Sequence, residues 1–236
     1  MDEINKVKSL SIWIFILPFF AVNISLIIIT QFHGLFPNQE DVILNTIPYF
    51  DGGASISRTV RPYPTWLIFK PAMFITSYLL IKYWILNKTI VENFNKFHKY
   101  KNKIIFFGIA SAIALTLHSI FLGIKFDNDL YKLFRRIIML SFIIFEITAQ
   151  AYLVIIFYSF KEKLLNYIHI KILYLKIILI SILVVVGVIS IPIISLPGND
   201  FFGFNLKFFK HGLEWNYFLG VIIFYLLTFL MWKKKN

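Results

Sequence analysis

The sequence places ionisable side chains within apolar stretches at a few points: His118, Glu146 with Gln150 one turn on, and the run His211-Gly212-Leu213-Glu214-Trp215-Asn216. Such groups are costly in an apolar segment and are functional candidates by default. A carboxylate beside an imidazole suits general acid and base chemistry, and the same residue types can bind a metal. Glu146 and Glu214 are therefore the expected acid or base, with His118 as their partner. His118, His211 and Glu214 could in principle form a zinc-type set. The chain has neither an H-E-x-x-H nor two histidines closely spaced on one helix, so no cofactor is expected. Ser55 and Ser57 lack the G-x-S-x-G setting of a nucleophilic serine. The plainer alternative is that Glu146 is packing glue between helices and that His211 and Glu214 are merely interfacial.

Composition dictates the elements that must position these groups. Of 236 residues, 58% are hydrophobic, 19% aromatic and only 15% charged. Soluble domains carry about 25% charged residues, and a chain this apolar has too little polar surface to face water. Lipid must be its solvent, and no separate soluble catalytic domain fits. The absence of cysteine removes disulfides, thiolate metal sites and cysteine nucleophiles. Six segments read as spanning helices of roughly 20 apolar residues: 9–30, 65–86, 103–124, 136–160, 172–196 and 211–232. The expected fold class is all-α, a polytopic membrane protein in one integral domain. Lys and Arg number 15 on the side that holds both termini and 9 on the other, which assigns both termini to the cytoplasm. The formal charge of +12 is scattered between apolar segments and not gathered in one patch, so nucleic acid is not an expected partner. Lys70 and Lys82 are expected to snorkel to opposite interfaces. Pro192 and Pro197 are expected to kink and then end the fifth span. The terminal lysines Lys233, Lys234 and Lys235 belong to a cytoplasmic basic surface that suits anionic lipid.

The first outer connection, 31–64, is long and rich in turn formers, and its aromatic content predicts a folded cap lying on the membrane surface. With the third span rising from inside and the fourth descending from outside, His118 and Glu146 fall in the outer half. His211 and Glu214, spaced i and i+3, share one face of the outer turn of the last span. One polar pocket is expected there, lined by His118, Glu146, Glu214, His211 and Gln150. Its lid would be the segment containing Asp51, Ser55, Ser57 and Arg58, with Arg58 as a phosphate or headgroup contact.

Two stretches carry a resemblance: Ile47-Pro48 through Ser57 ahead of the second span, followed by Phe69 and Met73, and His211 to Trp215 opening the last. Together with the six-span layout, they resemble the family of damage-regulated autophagy modulators (DRAM) and the GPI-anchor remodelling factor, post-GPI-attachment factor 2. The resemblance implies six helices, cytoplasmic termini and a lipid or lipid-linked substrate. It carries over Pro48, Asp51, Ser55, Ser57, Glu214 and Trp215 as functional positions. Two departures are Thr65 after Pro64, where the family often has an acidic residue, and the Gly52-Gly53-Ala54 insert.

The function expected is binding of a lipid or lipid-linked substrate in the outer leaflet, with participation in its GPI-anchor-like remodelling as a hydrolase or transferase. Two alternatives stand beside it: a small-solute or ion transporter, and a non-catalytic membrane adaptor subunit. Membrane lipids, and membrane proteins in the adaptor reading, are the expected partners. The membrane is a bacterial inner membrane or a eukaryotic membrane of the ER or Golgi type.

Overall fold

A computed structural model of the chain describes residues 2–95, 98–124, 128–195, 200–201 and 204–233. In chain order its helices are α1 (Asp2–Gln31), the short α2 (Pro48–Asp51) and α3 (Ile56–Val60), and α4 (Trp66–Phe94). There follow α5 (Lys101–Phe121), α6 (Asp129–Ser159), the single-turn α7 (Lys161–Leu164), α8 (Ile170–Ser195) and α9 (Leu206–Met231). Ahead of α9, Asp200–Phe201 and Phe204–Asn205 pair as a two-residue antiparallel ribbon, too short to alter the all-α class.

Five helices, α1, α5, α6, α8 and α9, are long and apolar enough to cross a membrane, which makes this an integral multi-pass membrane protein. The 29-residue α4 matches them in length, but Lys70, Lys82 and Lys88 interrupt its apolar side chains. The long helices alternate in direction and close into a ring, each packing on the next: α1 on α4, α4 on α5, α5 on α6, α6 on α8, α8 on α9, and α9 back on α1. Backbone amides in such a setting must be satisfied within each helix, which is why runs of this hydropathy fold as helices. Lys8 Nζ donates to the Trp232 carbonyl at 2.6 Å, and the His169 amide to the Met231 carbonyl at 2.8 Å, so both chain termini share one end of the bundle. The 32–65 connection, with α2 and α3, forms a cap over the other end.

Large apolar side chains such as Phe20, Ile27, Ile113, Ile144, Ile178 and Val188 point outward. In water they would be a liability; against acyl chains they are the solvated surface. The interior buries Tyr83, Trp84, Phe157, Trp215, Phe224 and Tyr225. The α4–α5 contact depends on Gly108. A Cβ there would stand inside the indole of Trp84, 2.5 Å from Cδ1 and closer to two other ring atoms.

Several helices outrun the expected spans, because a helix need not stop where the hydrocarbon does. Asn128 caps α6 by accepting from the Leu130 amide, so α6 starts seven residues before Arg136. The α9 helix starts five residues before His211. Pro192 lies within α8, which continues to Ser195. Pro197, the span end at Leu196, Lys234 and Lys235 lie outside the described residues.

Candidate polar sites at two depths

Glu146 lies near the middle of α6, and its carboxyl is fully enclosed. Oε1 accepts from Gln150 Nε2 at 3.0 Å and from the Tyr225 hydroxyl. Oε2 lies 2.5 Å from Ser111 Oγ. Gln150 Nε2 reaches the Val221 carbonyl at 3.3 Å. Trp84 Nε1 is buried beside this group and makes no hydrogen bond of ordinary geometry among the described residues. Four helices, α4, α5, α6 and α9, therefore converge on one carboxyl, each contributing a polar group at the matching height.

The polar layer continues toward the terminal end. The ring of Tyr225 meets that of Tyr83 edge-on at 5.0 Å. The Tyr83 hydroxyl lies 3.3 Å from Thr228 Oγ1, to which Lys176 Nζ donates at 2.8 Å. Lys176 is completely buried on α8, its amine 3.8 Å from the centroid of the Phe224 ring. Sequence reasoning missed Ser111, Tyr83, Tyr225, Thr228 and Lys176. The sequence does carry a signal for Lys176, a lone charge inside the apolar run opening at Ile172.

At the cap end, the polar residues that open α9 are latches. His211 Nδ1 lies 2.9 Å from the Gly52 carbonyl, Trp215 Nε1 donates to the Ala54 carbonyl at 2.8 Å, and Asn216 Nδ2 to the Tyr49 carbonyl at 2.8 Å. Glu214 faces the Ile56 and Ser57 amides at the start of α3, whose positive ends attract a carboxylate. Gly52, at φ +62°, allows the cap to touch α9: a Cβ there would collide with the Phe208 carbonyl oxygen. Asp51 organises the turn itself. Its carboxyl accepts from Thr46 Oγ1 at 2.6 Å and from the Gly53 and Ile47 amides, each at 2.8 Å. Burial works against its charge, but these bonds prevail and hold the carboxyl below the usual aspartate range. Ser55 caps α3 by accepting from the Arg58 amide, and Ser57 accepts from Arg61. Of the residues carried over by the family resemblance, Trp215 and Glu214 face the cap from α9, while Asp51, Ser55 and Ser57 shape its turns. Arg58 is exposed beside His211.

His118 stands apart, near the cap end of α5, with Arg135 of α6 close enough for their charges to repel. Arg135 also reaches Arg61 of the cap. There burial and the Arg135 charge weigh against the Arg61 guanidinium, and Asp41 favours it. Arg135 Nε is buried with no hydrogen-bond acceptor among the described residues, and its guanidinium lies 6.0 Å from the Tyr131 ring centroid.

The expected single pocket is therefore divided. His118 lies seven residues beyond Ser111 on α5, about 10 Å of helical rise from the level of Glu146. Glu214 precedes Tyr225 by eleven residues on α9, about 16 Å. Glu146 and Gln150 belong to a mid-bundle layer, whereas His211, Glu214 and Trp215 belong to the cap latch. His118 belongs to a cationic cluster at the rim. Among the described residues, no three His, Cys, Asp or Glu side chains come close enough together to hold a metal ion. No family model, curated protein or solved structure matches the chain.

Proposed function

We propose that this is a six-span membrane protein with cytoplasmic termini, whose cap end binds a phosphate-bearing lipid or lipid-linked molecule in the opposite leaflet. The observation that carries the reading is Arg135. Its Nε is buried with no hydrogen-bond partner among the described residues, and Arg61 and His118 are close enough to feel its charge. Cations held this close at a membrane rim are stabilised by a shared anion, and a guanidinium matches a phosphate in shape as well as in charge. The cap supports the reading through its apolar side: Leu44, Ile47 and Phe50 are exposed, Phe50 by 90%. Side chains of that kind at the level of the helix ends suit insertion among headgroups and upper acyl chains.

The resemblance to the DRAM and post-GPI-attachment factor 2 family suggests the same substrate class and, with it, lipid remodelling. Of the three expected catalytic side chains, His118 alone stands beside this cluster, so a proton-transfer role falls to it. The proposal is tested by thermal unfolding of the purified chain with short-chain phosphatidylglycerol or phosphatidylcholine added. The anionic lipid should stabilise the wild type more, and Arg61→Ala with Arg135→Ala should remove that difference. Equal stabilisation by both lipids would overturn the proposal.

A further inference from the structure

Hydrogen-bond accounting around Glu146 leads to a conclusion independent of the cap-end reading. Ser111 Oγ lies 2.8 Å from the Gly108 carbonyl and 2.5 Å from Glu146 Oε2. A serine has one proton to donate, and neither a carbonyl nor a carboxylate supplies another. If the serine proton goes to Gly108, the short contact to Oε2 is attractive only when the carboxyl carries a proton and donates it to Oγ. The other oxygen, Oε1, is already accepting from Tyr225 and Gln150. The arrangement that also keeps the Ser111–Gly108 bond has Glu146 as a neutral carboxylic acid.

Lys176 presents the complementary case. Its amine has a single hydrogen-bond acceptor, Thr228 Oγ1, whose own proton is directed to the Phe224 carbonyl at 2.9 Å. Among the described residues, no carboxylate pairs with it. An ammonium there would leave donors facing only the Phe224 ring, whereas a neutral amine fits. Between the acid and the amine stand the hydroxyls of Tyr225, Tyr83 and Thr228. The ionised form of the acid is also provided for: Trp84 Nε1, a buried donor beside Glu146 that makes no hydrogen bond of ordinary geometry among the described residues, is placed to bond a carboxylate. The groups facing Glu146 are Tyr83 and Trp84 from α4, Ser111 from α5, Gln150 on its own helix and Tyr225 from α9, with Lys176 of α8 reached through Thr228. Lys176 is the only one of these that can accept a proton to become a cation.

We propose that Glu146 is a proton-binding site in the middle of the membrane and that Lys176 is its exchange partner. In the exchange, the carboxyl O–H breaks and an N–H forms on the amine, so that carboxylic acid and amine become carboxylate and ammonium with no net change in charge or atoms.

The test is infrared spectroscopy of the purified full chain in lipid nanodiscs. At neutral pH the wild type should show a protonated-carboxyl C=O band that Glu146→Gln removes while far-UV circular dichroism keeps its helix content. In Lys176→Met, or Lys176→Gln should that variant fold poorly, the neutral-pH band should gain intensity per protein, because the carboxylate–ammonium form that shares the same proton is no longer available. An unchanged band in Glu146→Gln would show Glu146 ionised and overturn the proposal. A neutral-pH band of unchanged intensity in both Lys176 variants would overturn the exchange.

Discussion

Gly108→Ala is the smallest change that tests how the bundle builds its buried layer. The added methyl would stand 2.5 Å from Trp84 Cδ1 and nearer still to Cγ and Cδ2. Carbon atoms make ordinary contact at about 3.5 to 4.0 Å, so the indole or the α5 backbone must move by roughly 1 Å. Trp84 is fully buried and edge-on to Tyr83 at 5.1 Å, so it has no free direction. Overpacking of this kind costs about 1–3 kcal/mol. Ser111 lies one turn beyond Gly108, so the same displacement stretches its 2.5 Å contact with Glu146 out of strong hydrogen-bond range. Unfolding in mixed micelles, followed by tryptophan fluorescence, measures the loss. Trp84→Phe in the Gly108→Ala background makes room for the methyl, and the two changes should couple by about 1 kcal/mol or more. A Gly108→Ala variant as stable as the wild type, with strictly additive behaviour in the double variant, would refute the packing argument.

The cap offers two further predictions. Trp215→Phe removes the donor to the Ala54 carbonyl and leaves that acceptor short of a bond, a cost of about 1–3 kcal/mol. The 32–65 connection should then be cut faster by proteinase K while the long helices stay intact; unchanged cleavage would argue against the latch. Asp51 has a depressed folded-state proton affinity, so its contribution is present above the ordinary aspartate value of 3.8 and is lost as pH falls through the lowered folded value. Asp51→Asn should therefore expose the cap to protease at pH 7, while wild type and variant converge under pepsin near pH 2. The same difference at both pH values would contradict this role.

Much of the helical architecture was legible because a spanning helix needs only a sufficiently long apolar run, and that requirement is local. The cap was legible for the same reason, since 31–64 breaks the apolar pattern with Gly, Pro and Asn. The heights of the side chains were not. The start of α6 is set by Asn128 capping Leu130, seven residues ahead of the expected span at Arg136. Nor could Tyr225 or Ser111 be found from one strand of sequence. A polar residue in an apolar helix announces that it will be buried, but its partner depends on the axial register of neighbouring helices. Of the run 211–216, the structure bonds His211, Trp215 and Asn216 to Gly52, Ala54 and Tyr49. A His–Glu pair has the same spacing whether it holds a substrate or a loop, so the sequence alone does not separate the two.

The most direct measurement of the central claim is native mass spectrometry of the chain released from mild detergent, comparing wild type with Arg135→Gln. A discrete phospholipid or lipid-linked phosphate adduct on the wild type, lost in the variant, is the expected result. A wild-type protein that carries no phosphate-bearing adduct, or one whose adduct survives the substitution undiminished, would contradict the account.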